Sequence, residues 1–344
     1  MKWRKASITM LAGFCVLASS AAQADVFNMG PGLTNLEFVP VGNAGNDNDD
    51  TGYGSVAEPY LIGKYEVTNA QWREFLTAKA SVGDPYGLYN TEMAEWGGIT
   101  RSGLGTVEDP YIYSPKGGDA NWDNRPVNYV SLWDAARFCN WLHNARGTGD
   151  TESGAYVNIG NEITFARQPG ALYFIPTNNE WYKAAYHKND GVTTNYFDYP
   201  TSSDSTPSND LIDPDPGNSA NFDSNWPNQP ADFTIGPPYY ASVAGEFENS
   251  ASPYGTFDQG GNLSELNESV AYGSYRVLRG GSWYERLLEL AGSEADLQFA
   301  WQEENIVGFR VASVPEPGSI VLLVCGAVAG LIWCGRRMYS SRSA

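Results

Sequence analysis

The side chains able to do chemistry in this chain are abundant in one class and scarce in the others. There are 40 carboxylates, against two histidines (His143 and His187) and four cysteines (Cys15, Cys139, Cys325 and Cys334). Three of the cysteines lie in the terminal segments described below. Cys139 alone remains in the middle, and one thiol cannot close an internal disulfide. No P-loop, H-E-x-x-H or G-x-S-x-G stretch occurs. A glycosidase needs two carboxylates at a set separation, and sequence alone does not select two among 40. The acidic loop Asp47-Asn48-Asp49-Asp50-Thr51-Gly52, with Glu58, departs from the EF-hand pattern at Thr51. An EF-hand has a helix on each side, whereas Pro59 and the strand-like Tyr60-Leu61-Ile62 follow here. The loop is expected to be a solvated turn.

The charge pattern narrows the partners. The chain carries 21 basic and 40 acidic residues over 344 positions. Six basic residues (Lys2, Arg4, Lys5, Arg336, Arg337 and Arg342) belong to the ends, and every acid lies between them, so residues 25–316 hold 15 basic against 40 acidic groups. So acidic a chain repels phosphate backbones and anionic lipid, which argues against nucleic-acid binding and leaves cations such as calcium open. Hydrophobic residues at 42% and aromatics at 13% suffice for a core, so disorder is not implied.

Both ends read as addresses. Residues 1–24 have a basic start, an apolar stretch from Ile8 to Ala18 and an Ala22-Gln23-Ala24 cleavage site, the pattern of a secretory signal peptide. Near the other end, Pro315-Glu316-Pro317 precedes an apolar run, Ile320 to Cys334, and then Arg336-Arg337. That run spans about 22 Å as a helix, short against a hydrocarbon core of ~30 Å. The three-part segment, residues 314–344, resembles the PEP-CTERM sorting signal of bacterial surface proteins. The resemblance implies an exosortase-type partner, membrane contact through this short transmembrane segment before processing, and delivery to the cell envelope, surface or extracellular matrix. A plain single-span anchor is the alternative.

Between these ends, three helix starts are legible. Thr68-Asn69-Ala70-Gln71 and Thr177-Asn178-Asn179-Glu180 are capping boxes, and Ser131-Leu132-Trp133-Asp134 opens a third helix. Trp72, Phe75 and Leu76 share one helical face, as do Ala135, Phe138, Cys139 and Leu142, which makes Cys139 a core residue. Ala171–Ile175, Tyr275–Leu278 and Val307–Ala312 read as strands. Residues 200–238, crowded with Pro, Asn, Asp and Ser, read as loop. The pattern is α+β with much irregular structure.

Six segments, in order, resemble the formylglycine-generating enzyme family, the sulfatase-modifying-factor domain. They are Ile62-Gly63-Lys64-Tyr65-Glu66-Val67-Thr68-Asn69; Arg125-Pro126-Val127-Asn128-Tyr129-Val130-Ser131; Ile175-Pro176-Thr177-Asn178-Asn179-Glu180-Trp181; Gly261-Asn262-Leu263-Ser264-Glu265; Arg279-Gly280-Gly281-Ser282-Trp283; and Gly308-Phe309-Arg310. The resemblance covers about residues 36–313 and implies one compact C-type-lectin-like α+β domain, residues 25–313, with little regular secondary structure. Gly280, Gly281 and Gly308 are expected at turns or close backbone approaches, and Arg279 and Arg310 in buried ion pairs.

The family's oxidase chemistry uses two copper-binding cysteines shortly after the R-G-G-S stretch, since soft thiolates hold Cu(I). Glu285 and Leu290 stand at those positions, so copper is not expected. A second branch of the family, which transfers sulfur at an iron held by three histidines, is also unmatched, with two histidines present. The resemblance does imply calcium. Asp258 and Glu265 would bind through carboxylates, and Gly261 and Leu263 through carbonyls, hard oxygens of the kind calcium takes. Ser264 stands where the family usually has Trp. A second family site would use Asn221, the Phe222 carbonyl and Asp232, although the spacing to Asp232 differs. Aromatics around Tyr239-Tyr240 and Trp283-Tyr284 are candidates to line a groove. The leading expectation is a secreted, surface-sorted, calcium-stabilised domain that binds a peptide, a glycan or a matrix protein and does not catalyse. The alternative is a formylglycine-generating-type oxidase acting on protein cysteine, or a related metal-dependent oxidoreductase.

Overall fold

The computed structural model describes residues 26–27, 36–145, 149–228 and 230–315. The signal-peptide and Glu316–Ala344 readings lie outside these residues. No helix among the described residues is long and apolar enough to cross a membrane.

The three α-helices among the described residues start where the sequence places them. Thr68 caps α1 (Asn69–Lys79), Ser131 caps α2 (Leu132–His143) and Thr177 caps α3 (Asn178–Tyr186). Each cap hydroxyl accepts from the backbone N–H three residues on, and the side chain there (Gln71, Asp134 or Glu180) returns a bond to the cap N–H. These reciprocal bonds satisfy donors that a helix start otherwise leaves unpaired.

Thirteen short strands are described. In chain order they are β1 (Val26–Phe27), β2 (Leu36–Val41), β3 (Tyr60–Gly63), β4 (Ile99–Ser102), β5 (Ile112–Pro115), β6 (Tyr156–Val157), β7 (Ala166–Arg167), β8 (Tyr173–Phe174), β9 (Ser264–Val270), β10 (Tyr275–Arg279), β11 (Asp296–Phe299), β12 (Val307–Gly308) and β13 (Ala312–Ser313). One sheet has the order β1-β2-β3-β13-β8 and a second β11-β10-β9-β12, while β4-β5 and β6-β7 are separate pairs. In the second sheet β12 runs parallel to β9, with Gly308 opposite Glu265. The stretch 307–312, expected as one strand, is therefore divided. Its two ends belong to different sheets, and Phe309-Arg310-Val311 crosses between them.

Phe309 enters the core. Its ring meets Trp72 of α1 at 5.9 Å and Phe138 of α2 at 5.7 Å, while Phe75 and Trp141 close the cluster. Edge-to-face and stacked arrangements predominate, as ring quadrupoles favour. Cys139 lies in this core, fully buried, and burial pushes its thiol pKa well up. The described residues of 200–238 form no helix and none of these strands, in keeping with their composition.

Arg310 is buried with no exposed surface. Its Nε and Nη2 donate to Glu265 at 2.6 and 2.5 Å, its Nη1 to the Gly63 carbonyl at 2.9 Å and its Nη2 also to the Phe257 carbonyl at 3.0 Å. The expected ion pair is thus present. Arg279 differs. It is buried but forms no ion pair among the described residues, donating instead to Asn178 Oδ1 (2.8 Å) and the Gly292 carbonyl (3.0 Å) and lying over the rings of Tyr53 and Tyr182. Removing one partner of a buried pair strands the other charge, at a cost of about 3–5 kcal/mol. Arg310→Met is expected to lower stability by that order in chemical denaturation, whereas Arg286→Met, whose pair with Glu289 is half exposed, changes it by less than about 1 kcal/mol.

Candidate functional site

Strand β9 organises the site, because alternate residues of a strand face opposite ways. Glu265 faces the buried pair with Arg310, and its Oε2 also accepts from Trp181 Nε1 of α3 at 2.7 Å. Glu66 is buried beside it. The Leu263 N–H donates to Glu66 Oε1 at 3.1 Å and Asn262 Nδ2 to Glu66 Oε2 at 2.7 Å. Asp258 accepts from the Gly245 N–H at 2.7 Å. Burial, reinforced by Glu265 and Asp258, holds the Glu66 carboxyl well above its ordinary range. Burial likewise pushes Asp258 up to about 6, against the pull of the Gly245 hydrogen bond and Arg310. The site therefore gathers three carboxylates around one guanidinium.

The loop between Asp258 and Glu265 folds tightly enough to require glycine. Gly261 has φ +76°, and a Cβ there would lie 2.1 Å from the Asn221 carbonyl oxygen. Gly280, with φ +94°, would place a Cβ 2.6 Å from the Gln259 carbonyl oxygen. Both approaches exclude a side chain.

The residues that the resemblance assigns to calcium occupy this region in different states. Asp258 and Glu265 belong to one electrostatic cluster, but Glu265 already gives both oxygens to Arg310 and one to Trp181. Glu66, which the reading of the sequence did not single out, is the third member, and it stands within the Lys64-Tyr65-Glu66-Val67 motif. The donor set is hard oxygen with more negative than positive charge, which fits calcium in chemistry. Among the described residues no group of three His, Cys, Asp or Glu converges as a ready ligand cage. At the second expected site, Asn221 is buried and its Oδ1 has no partner. The Phe222 carbonyl accepts from the Thr234 hydroxyl at 3.3 Å. Asp232 is exposed and bonds to the Ser224 hydroxyl, so the structure does not bring its carboxylate into the buried group. The buried acid next to Asn221 in the chain is Asp223, whose Oδ2 is unpartnered. Proximity of 223 to 221 was the available signal.

On its other face, β9 presents Ser264, and the Ser264 hydroxyl donates to Glu285 Oε2 at 2.8 Å. Two residues that depart from the pattern the resemblance implies thus meet as one hydrogen bond: Ser264, where tryptophan is expected, and Glu285, where a cysteine is expected. Burial raises the Glu285 pKa, opposed by the Ser264 and Ser282 hydrogen bonds. Leu290, at the other cysteine position, is fully buried against Ala220 and Phe222. Copper finds no soft donor here, and the residues present do not fit it.

The histidines are apart from this site. His143 ends α2 and accepts from the Leu172 N–H at 3.0 Å. His187 caps α3, buried against Tyr254, and burial lowers its pKa. Asp49 is engaged within its own turn, accepting from the Asp50 N–H at 2.8 Å, and also accepts from the Tyr182 hydroxyl.

Beside Glu285 the chain opens into a groove of about 410 Å³ lined by Trp96, Phe233, Tyr240, Trp283, Tyr284, Asn305 and Ile306. Tyr240 stacks on Trp283 at 4.6 Å, and Phe233 stands perpendicular to Tyr240 at 5.5 Å. Tyr239 turns away to pack on Trp122 and bond to Asp119.

The chain matches the Sulfatase-modifying factor enzyme 1-like domain over residues 33–314. Similar solved structures include Treponema denticola variable protein 1, at 18% identity, covering 85% of this chain and 99% of that one with a TM-score of 0.49. Another is CarF, at 21% identity, covering 82% and 99% with a TM-score of 0.46. PvdO from Pseudomonas aeruginosa is 14% identical, covering 85% and 99% with a TM-score of 0.47. No curated protein matches the chain.

Proposed function

The chain belongs to the sulfatase-modifying factor enzyme 1-like family, and from that membership we propose that it is an exported, calcium-stabilised binding domain without the family's oxidase chemistry. The observation that carries this reading is the Ser264–Glu285 hydrogen bond together with the buried Leu290. Both positions that would supply thiolates are committed to packing and polar satisfaction. The neighbouring groove remains open, a binding surface separated from its reaction. Copper-loaded protein is expected to leave the mass of a sulfatase-type cysteine peptide unchanged under oxygen. Conversion of the cysteine to formylglycine overturns the reading.

Calcium is proposed to offset the excess charge of Glu66, Asp258 and Glu265, with Asp258 and the Gly261 and Leu263 carbonyls as its ligands beside Glu265. A ligand at about 100 times its Kd adds ~2.7 kcal/mol of stability. Calcium is therefore expected to raise the Tm of chelator-treated protein by several degrees. Asp258→Asn shrinks that rise, and Asp49→Asn leaves it intact. Glu265 is unsuited to this test, since its loss also strands Arg310. An unchanged melting curve in calcium and chelator removes the site.

Export through residues 1–24 and sorting through Pro315-Glu316-Pro317 complete the proposal, with an exosortase-type enzyme as the processing partner at a bacterial envelope. The intact mass of protein from the native envelope is expected to lack residues beyond about Pro317. Retention of Ile320–Cys334 in that mass contradicts it.

A further inference from the structure

The aromatic groove has features that select its ligand. None of its lining residues is charged, on a chain of net charge −19. An anionic ligand meets a repelling field without a cation to receive it, and a cationic ligand finds no carboxylate in the lining, since Glu285 faces Ser264. The ring faces are fixed before binding. Tyr240 and Trp283 stack on each other at an interplanar angle of 26°, and Phe233 is wedged at 88° to Tyr240 and 71° to Trp283. Trp226 supports Tyr284 at 5.2 Å.

The polar groups are equally telling. The Tyr240 and Tyr284 hydroxyls, the Trp96 and Trp283 indole N–H groups and the Asn305 amide make no hydrogen bond among the described residues. Asn128 holds the rim, donating to the Trp96 carbonyl at 3.2 Å and the Asn305 carbonyl at 2.8 Å. The groove therefore offers electron-rich ring faces edged by uncharged donors and acceptors. A pyranose is the complement of such a surface. Its C–H bonds lie along one face, suited to the negative face of an aromatic ring, and its hydroxyls around the edge both donate and accept. Rigid rings and a few placed polar groups are also the general composition of a small-molecule site, and their fixed packing lowers the cost of ordering on binding.

We propose that this groove binds a neutral saccharide, held against the exposed rings of Trp96 and Tyr284, with the Tyr240–Trp283 stack as its wall. The inference rests on the binding-domain reading above and names its ligand class. The test is calorimetric and fluorescence titration of the purified chain with neutral hexose oligomers: β-1,4-linked glucose, β-1,4-linked mannose and α-1,4-linked glucose. Saturable binding of at least one, with quenching of tryptophan emission, is expected. Trp96 and Tyr284 are 54% and 40% exposed, and an unchanged Tm of each variant shows that a loss of binding is not a loss of fold. Trp96→Ala and Tyr284→Ala should each weaken binding by about threefold to tenfold. Tyr272→Ala, at a 75% exposed ring elsewhere, should not. Failure of all three oligomers to bind at millimolar concentration overturns the inference, as does binding indifferent to both groove substitutions. Capture of a peptide at the groove with no saccharide binding overturns it while leaving the binding-domain reading standing. Oxidation of the cysteine peptide overturns both.

Discussion

Arg310 carries a permanent positive charge where no solvent reaches, and much of the architecture is arranged to receive it. One guanidinium bonds Glu265 on β9, the Gly63 carbonyl at the end of β3 and the Phe257 carbonyl in the loop leading to β9. Trp181 of α3 donates to the same carboxylate. Two sheets, a helix and a loop thus meet at one ion pair. The neighbouring Phe309 ties the crossing segment to α1 and α2 through ring contacts. A buried pair gains little over a hydrophobic substitute, but losing one half is expensive. The constraint is accordingly one of arrangement: any alternative packing must still cover this charge.

The alternation of β9 couples that constraint to the candidate site. Glu265 faces the ion pair, and Ser264 faces Glu285 on the opposite side. A bulkier residue at 264 would displace the Glu285 hydrogen bond. A shift in register would exchange the two faces, taking Glu265 from Arg310 and Ser264 from Glu285. Ser264 and Glu285, two residues that depart from the pattern the resemblance implies, support each other. The Ser264 hydroxyl donates to the Glu285 carboxylate, and Leu290 fills a core site against Ala220 and Phe222.

The groove next to this site depends on irregular chain, since Phe233 lies in the long polar loop, Tyr240 follows it, and Trp283 and Tyr284 follow the Gly280-Gly281 turn. Such loops lack extended ladders of backbone hydrogen bonds. Their order comes from side chains instead: rings packed on rings, and asparagines such as Asn262 and Asn128 that bond to backbone groups of distant segments. Rigid binding surfaces on loops require this kind of support.

Local chemistry was legible from the residues alone. The three capped helix starts, the buried Cys139, the loop at 200–238 and the resemblance carried by six short segments all follow from patterns within a few positions, because caps and helical faces are short-range features. The ion pair of Arg310 was legible only as a tendency, and Arg279 showed its limit: an arginine in a strong motif can be satisfied by carbonyls and rings. The inclusion of Glu66 in the carboxylate cluster, the exposure of Asp232 and the Ser264–Glu285 bond were decided by tertiary structure. Each depends on residues brought together from separate parts of the chain, and on burial, which alone determines whether a carboxylate must find a partner, a proton or an ion.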